Sequence, residues 1–176
     1  MTQTAAPQRC PGCGSLLAAC DGPVHAYMLS TPACWQAFGA LVAREYADPG
    51  LMEVHRLTVD AWAVQHPGDG SRRAIQSVGL HLCRLTLQLE HGFSGRRAND
   101  AMLRLGRLKA QLPALPPRAS YRMTVADMGP VSGPDAHAAA VRRWARSTWE
   151  DWADQHGFVA EYLARSGLGP FSSTAR

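Results

Sequence analysis

Ser71-Arg-Arg-Ala-Ile-Gln-Ser-Val-Gly-Leu-His-Leu-Cys-Arg-Leu-Thr-Leu-Gln-Leu-Glu-His-Gly92 is the stretch whose reading decides the fold. Ile75, Val78, Leu82, Leu85 and Leu89 recur three or four residues apart, the spacing of one buried helical face. Ser71 stands where an N-cap belongs, and His91-Gly92 supplies a stop. Cys83 falls inside the apolar pattern and reads as plain core, the usual place of an unpaired cysteine.

The same period extends to both sides. Pro32 to Tyr46 reads as a helix with Thr31 as N-cap and Pro32 at its first position. Pro49 to Gln65 follows and stops before His66-Pro67-Gly68. Gly95 to Gln111 makes a fourth helix. Leu112-Pro-Ala-Leu-Pro-Pro117 cannot continue it. Tyr121 to Val125 is expected to be briefly extended, and Asp127-Met-Gly-Pro130 to turn, with Asp127 a turn former rather than a pocket carboxylate. A last helix opens near Ser132-Gly-Pro134 and reaches Ser166, with a break at Gly157. The expected fold class is all-α, a four- to five-helix bundle with an N-terminal zinc-binding loop. Residues 1–9 read as a loose tail and 10–166 as a single helical domain. Within it lie a metal-binding loop, 10–34, and a long crossover, 112–134, of the length that often marks a functional loop. Residues 167–176 read as a second loose tail.

Bulk composition fits this picture. A chain of 176 residues, 46% hydrophobic and 18% charged, suits one ordinary globular domain. Its apolar runs fall well short of the roughly 18 residues a membrane span needs. The N-terminus lacks a secretory apolar region, so a cytoplasmic location is the expectation. The net charge of +4 rests almost wholly on arginine, Lys109 being the single lysine. The pairs Arg72-Arg73, Arg96-Arg97 and Arg142-Arg143 read as solvated faces, and nucleic acid is not the expected partner.

Cys10-Pro-Gly-Cys13-Gly14 carries the clearest chemistry. Two thiolates two residues apart occupy one edge of a tetrahedral metal site, and the glycines let the backbone turn tightly beneath them. Five cysteines, two of them so spaced, fit a reducing compartment and a metal better than disulfides. The context does not resemble a redox pair, which opens a helix after a strand. His25 and Cys34 complete a candidate Cys₃His set of Cys10, Cys13, His25 and Cys34, with Cys20 as competitor for the place of His25. Zinc is the expected ion. Four good donors leave no vacancy, which favours a structural over a catalytic metal.

A second pattern lies in the histidines. His55, Val59, Trp62 and His66 share a narrow arc of the second helix, at offsets of 0, 4, 7 and 11. His81 sits midway along the third helix. Trp149, Trp152 and His156 stripe the last, with His137 near its start. A lone helical histidine is more often a satisfied or surface residue than a ligand. Convergence of several would make a second metal site or an acid–base pocket. His55 and His66 stand about 16 Å apart along the axis and cannot share one ion. There is no HExxH, nucleophile elbow, phosphate loop or dinucleotide fingerprint.

Cys10-Pro-Gly-Cys-Gly14, Gly22-Pro-Val-His-Ala-Tyr27, Ser30-Thr-Pro-Ala-Cys-Trp35 and Val54-His-Arg-Leu-Thr-Val-Asp-Ala-Trp-Ala-Val-Gln-His-Pro-Gly68 together resemble an uncharacterised bacterial domain-of-unknown-function family. The likeness continues through Ser77-Val-Gly-Leu-His81 and Trp144-Ala-Arg-Ser-Thr-Trp149, Trp152 and His156, covering most of residues 10–160. The resemblance implies His25 and Cys34, rather than Cys20, beside the cysteine turn, and a pattern rich in His55, Asp60, Gln65, His66 and His81. The chain departs from it in having Trp62 where tyrosine is usual and a single histidine at 156. No activity comes with the resemblance.

Two functions are therefore expected. The first is a small metal-dependent enzyme of unstated reaction, with a pocket lined by His55, Gln65, His66, His81, Trp152 and His156, in which His55, His66, His81 and His156 are the candidate catalytic groups acting on a small-molecule substrate. The alternative is a non-catalytic module with a structural zinc and an aromatic face for a ligand or partner.

Overall fold

The computed structural model describes residues 6–129 and 132–169. Six helices form the body: α1 (Pro32–Ala47), α2 (Met52–Val64), α3 (Arg72–His91), α4 (Gly95–Arg107), α5 (Pro134–Asp151) and α6 (His156–Arg165). Ahead of them, β1 (Pro7–Arg9) pairs antiparallel with β2 (Leu16–Ala18), with Arg9 opposite Leu16. The fold is thus mostly helical but not strictly all-α. The expected N-terminal tail contributes β1, because the cysteine turn is tight enough to return the chain along itself. Residues 1–5 and 170–176, parts of the two expected tails, lie outside the described residues. Among the described residues no helix is long and apolar enough to cross a membrane.

The helix ends follow their local chemistry. Thr31 accepts a hydrogen bond from the Cys34 amide and Ser71 from the Ala74 amide, so both expected caps are made. Gly92 closes α3 in the left-handed conformation, φ 62°. Two boundaries differ from expectation. A 3₁₀ turn over Pro49–Leu51 precedes α2, and another over Lys109–Gln111 follows α4. The last helical region breaks at Trp152, not Gly157. The buried Trp152 indole ends α5, and a 3₁₀ turn over Ala153–Gln155 redirects the chain into α6.

Helix α2 is the axis of the core, packed chiefly between α3 and α5. Val54, Leu57, Ala61, Trp62 and Val64 are buried on it, and so are His55, Thr58 and Asp60. Buried polar side chains call for partners, and those of His55, Thr58 and Asp60 come from α1 and α3. Leu82, Leu85 and Leu87 of α3 and Val141, Trp144 and Ala145 of α5 complete the centre.

The crossover is pinned rather than loose. The Arg72 guanidinium donates to the carbonyls of Leu112 (2.7 Å), Lys109 (3.2 Å) and Ala110. Gln65 Nε2 donates to the Met123 carbonyl (2.7 Å) and to Thr148 Oγ1 (2.8 Å). Its Oε1 accepts from Trp144 Nε1 at 3.3 Å. Gln65 is therefore a strut between crossover and α5 rather than a pocket group. Tyr121–Val125 forms no strand. A 3₁₀ turn runs over Val125–Asp127 instead, closed by a capping box in which Asp127 accepts from the Thr124 amide at 2.7 Å.

Candidate metal centre

Residues 10–15 form the knuckle between β1 and β2. The Gly14 amide donates to the Cys10 carbonyl (2.9 Å) and the Cys10 amide to the Ser15 carbonyl (2.8 Å), which aims both thiols to the same side. Cys34 faces them from the first turn of α1, where the helix dipole favours a thiolate. The fourth donor comes from the end of α2. His66 Nε2 lies 3.5 Å from Cys10 Sγ and 3.2 Å from Cys34 Sγ, and Cys13 Sγ lies 3.8 Å from Cys34 Sγ.

All four donor atoms fall within 4.8 Å of one another and all four residues are buried. A tetrahedron with metal–sulfur bonds of about 2.3 Å and metal–nitrogen bonds of about 2.0–2.1 Å has edges of about 3.8 Å between sulfurs and about 3.6 Å between sulfur and nitrogen. The separations of 3.8 Å between Cys13 and Cys34 and 3.5 Å between Cys10 and His66 match those edges, and the 3.2 Å between Cys34 and His66 is about 0.4 Å shorter. Cys10, Cys13, Cys34 and His66 are thus close enough to hold one metal ion.

The surroundings orient the donors. His66 Nδ1 donates to the Trp62 carbonyl at 2.6 Å, which leaves Nε2 as the ligating nitrogen. The Trp62 indole stacks on the imidazole at 3.9 Å between centroids. Ser15 Oγ lies 3.2 Å from Cys13 Sγ. A Cβ on Gly12 would fall 2.4 Å from the Leu29 carbonyl oxygen and 2.5 Å from His66 Cδ2, so glycine is required for the knuckle to sit against His66. Met28 and Gly68 pair as an isolated antiparallel bridge, and this tethers the 25–34 segment beside the end of α2.

Four acidic or basic donors in one buried cluster perturb one another strongly. Hydrogen bonds from the Cys13 and then the Cys34 thiol hold Cys10 well below the ordinary thiol value. Cys34 is pushed the other way by its contacts with Cys10 and Cys13. Burial alone would lower His66, but its hydrogen bonds to Cys10 and Cys13 raise it to about 9. Negative charge on sulfur therefore has no compensation inside the cluster other than a proton on His66 or a bound cation.

His25 is not the fourth member. Its Nδ1 accepts from the amides of Met28 (3.1 Å) and Tyr27 (3.4 Å), and its ring packs edge-on against Tyr27 and Trp35. Cys20 is exposed, with its thiol 3.5 Å from Gln36 Oε1. Cys83 is core, as expected, and burial pushes its thiol up to about 12.

The other candidate histidines occupy three separate places. His55 Nδ1 meets Glu45 at 2.8 Å in a buried cluster that also contains His137 (Nε2 at 3.0 Å) and the Thr58 hydroxyl. His81 Nδ1 meets the buried Asp60 at 2.6 Å, beside a two-pronged Arg84 contact and Gln88 Nε2 at 2.6 Å. His156 stacks on Trp149 at 3.8 Å between centroids, with Nε2 on the Trp149 carbonyl at 3.0 Å. Trp152 is buried under the Arg118 guanidinium. No common pocket gathers His55, His66, His81 and His156 among the described residues. Sequence reasoning missed Glu45 and Arg84, whose only signal is a charge on the apolar side of a helix.

Fold and site together define a mostly helical protein with a buried Cys₃His cluster fit for a metal ion. The family of unknown function DUF5946 matches residues 8–153, and the chain belongs to that family. No curated protein matches the chain, and no solved structure does.

Proposed function

We propose that this chain is a zinc-binding helical protein whose ion is structural, clamping the N-terminal hairpin onto the start of α1 and the end of α2, and whose work is binding rather than metal-centred catalysis. The observation that carries this reading is the four-donor set: three sulfurs and one imidazole nitrogen within 4.8 Å of one another, all buried. Thiolate-rich tetrahedral sites select zinc among the common divalent ions, and a full set of protein donors leaves no position for substrate. The separation of His55, His81 and His156 onto different partners also favours a module over a histidine-lined metalloenzyme.

Cobalt substitution tests the reading. A Cys₃His site closed by protein gives the intense visible bands of tetrahedral cobalt together with thiolate-to-metal charge transfer. Weak bands of a five- or six-coordinate ion, shifting when small anions are added, would mean an open site and contradict a structural role.

A further inference from the structure

Helix α4 and the turn after it carry the charge of this chain. Between Gly95 and Gln111 stand Arg96, Arg97, Arg104, Arg107 and Lys109 against the single acid Asp100, a net charge of +4 and equal to that of the whole sequence. The rest of the chain is therefore balanced. On the crossover and α5 the balance is local, because Arg118, Arg122, Arg142 and Arg146 each face a carboxylate. On α4 it is not. Arg104, Arg107 and Lys109 make no hydrogen bond or ion pair among the described residues. Arg96 meets Asp100 at 3.9 Å, but the two side chains are 95% and 64% exposed, and such a contact contributes little in water.

Helical period puts these guanidinium groups on one side. At 3.6 residues per turn Arg96, Arg107, Arg104 and Arg97 share an arc of about 100°, and Arg96 and Arg107 stand about 16 Å apart along the axis. Ala98, Ala101 and Leu105 are buried on the opposite side, where α4 packs chiefly on α3. In the sequence Arg96-Arg97 is a solvated pair, and the helix adds two more arginines to the same side. The Arg97 guanidinium lies over the Phe93 ring, 3.7 Å from its centroid, which steadies the head group and leaves its in-plane N–H donors free. Arg97 and Arg104 line a groove of about 480 Å³ whose other wall is Gly167, Leu168 and Gly169.

We propose that this face of α4 binds double-stranded nucleic acid through its phosphates, without reading sequence. A stripe about 16 Å long exceeds what one small anion can touch, so the partner presents negative charge repeated along that length. A phosphodiester backbone does so at short fixed spacing, and guanidinium forks match phosphate oxygens. No aromatic residue occurs between Gly95 and Gln111, so unpaired bases find no stacking platform and a duplex is favoured over a single strand. A membrane surface fits less well. The apolar side of α4 is spent inside the protein, and Leu103, 72% exposed, is its one exposed large apolar residue. An acidic peptide would have to be ordered on binding, whereas a duplex is rigid beforehand. This inference names the partner of the binding module and rests on that reading. It does not depend on the clamp, because α4 supplies none of the four donors.

The test is fluorescence anisotropy of two labelled DNA duplexes of unrelated sequence, titrated with the protein as isolated at several salt concentrations, with zinc content measured on the same sample. Both duplexes are expected to bind equally well. Four phosphate contacts predict a log–log slope of about −3.6, a loss of about 150-fold in affinity between about 50 and 200 mM salt. Arg104→Gln with Arg107→Gln is expected to halve that slope. Arg142→Gln with Arg143→Gln removes the same charge from exposed positions of α5 and is expected to keep it. No binding at about 50 mM salt, or an equal fall in slope in both double variants, overturns the proposal. So does displacement of the duplex by polyglutamate or by anionic lipid vesicles as readily as by unlabelled duplex. The wild-type slope and the competition decide the matter even if a variant fails to fold. A sample without zinc that binds with the expected slope would keep this surface and overturn the clamp, and a zinc-loaded sample that does not bind would do the reverse.

Discussion

His66 Nε2 lies 3.2 Å from Cys34 Sγ, although the two residues are 32 positions apart in the chain. This contact joins the start of α1 to the end of α2 and sets the angle at which the cysteine knuckle docks. Zinc bound there would act as a cross-link among the cysteine knuckle, the start of α1 and the end of α2, so metal binding and folding of this end are expected to be coupled.

Removal of the ion provides one check. Chelation is expected to lower the thermal midpoint and to reduce the near-ultraviolet circular dichroism of Trp35 and Trp62, with far-ultraviolet helicity largely kept. Added zinc is expected to restore both. Unchanged spectra and midpoint after proven metal loss would contradict a structural clamp.

Gly12→Ala acts on the same contact without replacing a ligand. The new Cβ would press on the Leu29 carbonyl and the His66 ring. The expected cost is about 1–3 kcal/mol, measured by urea unfolding of the zinc form, with weaker retention of zinc against a competing chelator. Wild-type stability and zinc retention would contradict the docking of the knuckle on His66.

Glu45→Ala is expected to be severe. The Glu45 carboxylate serves His55, His137 and Thr58 at once, and all four residues are almost wholly buried. Truncation leaves their polar atoms without a partner, at an expected cost of about 3 kcal/mol or more in chemical denaturation. Zinc binding, on a different end of α2, should persist in the folded fraction.

Asp60→Asn carries a pH signature. Burial alone would push this carboxyl up, but the Arg84 guanidinium, with His81, holds it below the ordinary 3.8. A carboxylate lowered by folding contributes stability that is complete above the unfolded value and lost as pH falls through the folded one. The substitution leaves Arg84 buried without its charge partner, at an expected cost of about 3–5 kcal/mol near pH 7. That difference from wild type should shrink as pH falls below about 4, as denaturation curves at several pH values would show.

Much of the fold is legible in the sequence. The α3 stripe, the Thr31 and Ser71 caps and the Pro-rich crossover follow from spacing and local chemistry. Three of the four cluster members are legible too, because CxxC geometry and a cysteine in a first helical turn are local signals. The fourth is not. His66 lies on the same arc as Trp62, so periodicity places it in the histidine–tryptophan stripe. Its role as a donor depends on the Met28–Gly68 bridge, which brings a distant segment against the helix end. His25 has the more natural spacing from Cys13, yet local amides hold its Nδ1. The pairings of His55 with Glu45 and of Asp60 with Arg84 each join two helices, a relation that helical period within one segment does not encode.

The most direct test of the account is elemental mass spectrometry of His66→Ala and His25→Ala beside wild type, all purified without chelator. One zinc per chain in wild type and in His25→Ala, with zinc lost from His66→Ala, is the predicted result. Zinc retained in His66→Ala and lost from His25→Ala would contradict the Cys10–Cys13–Cys34–His66 centre.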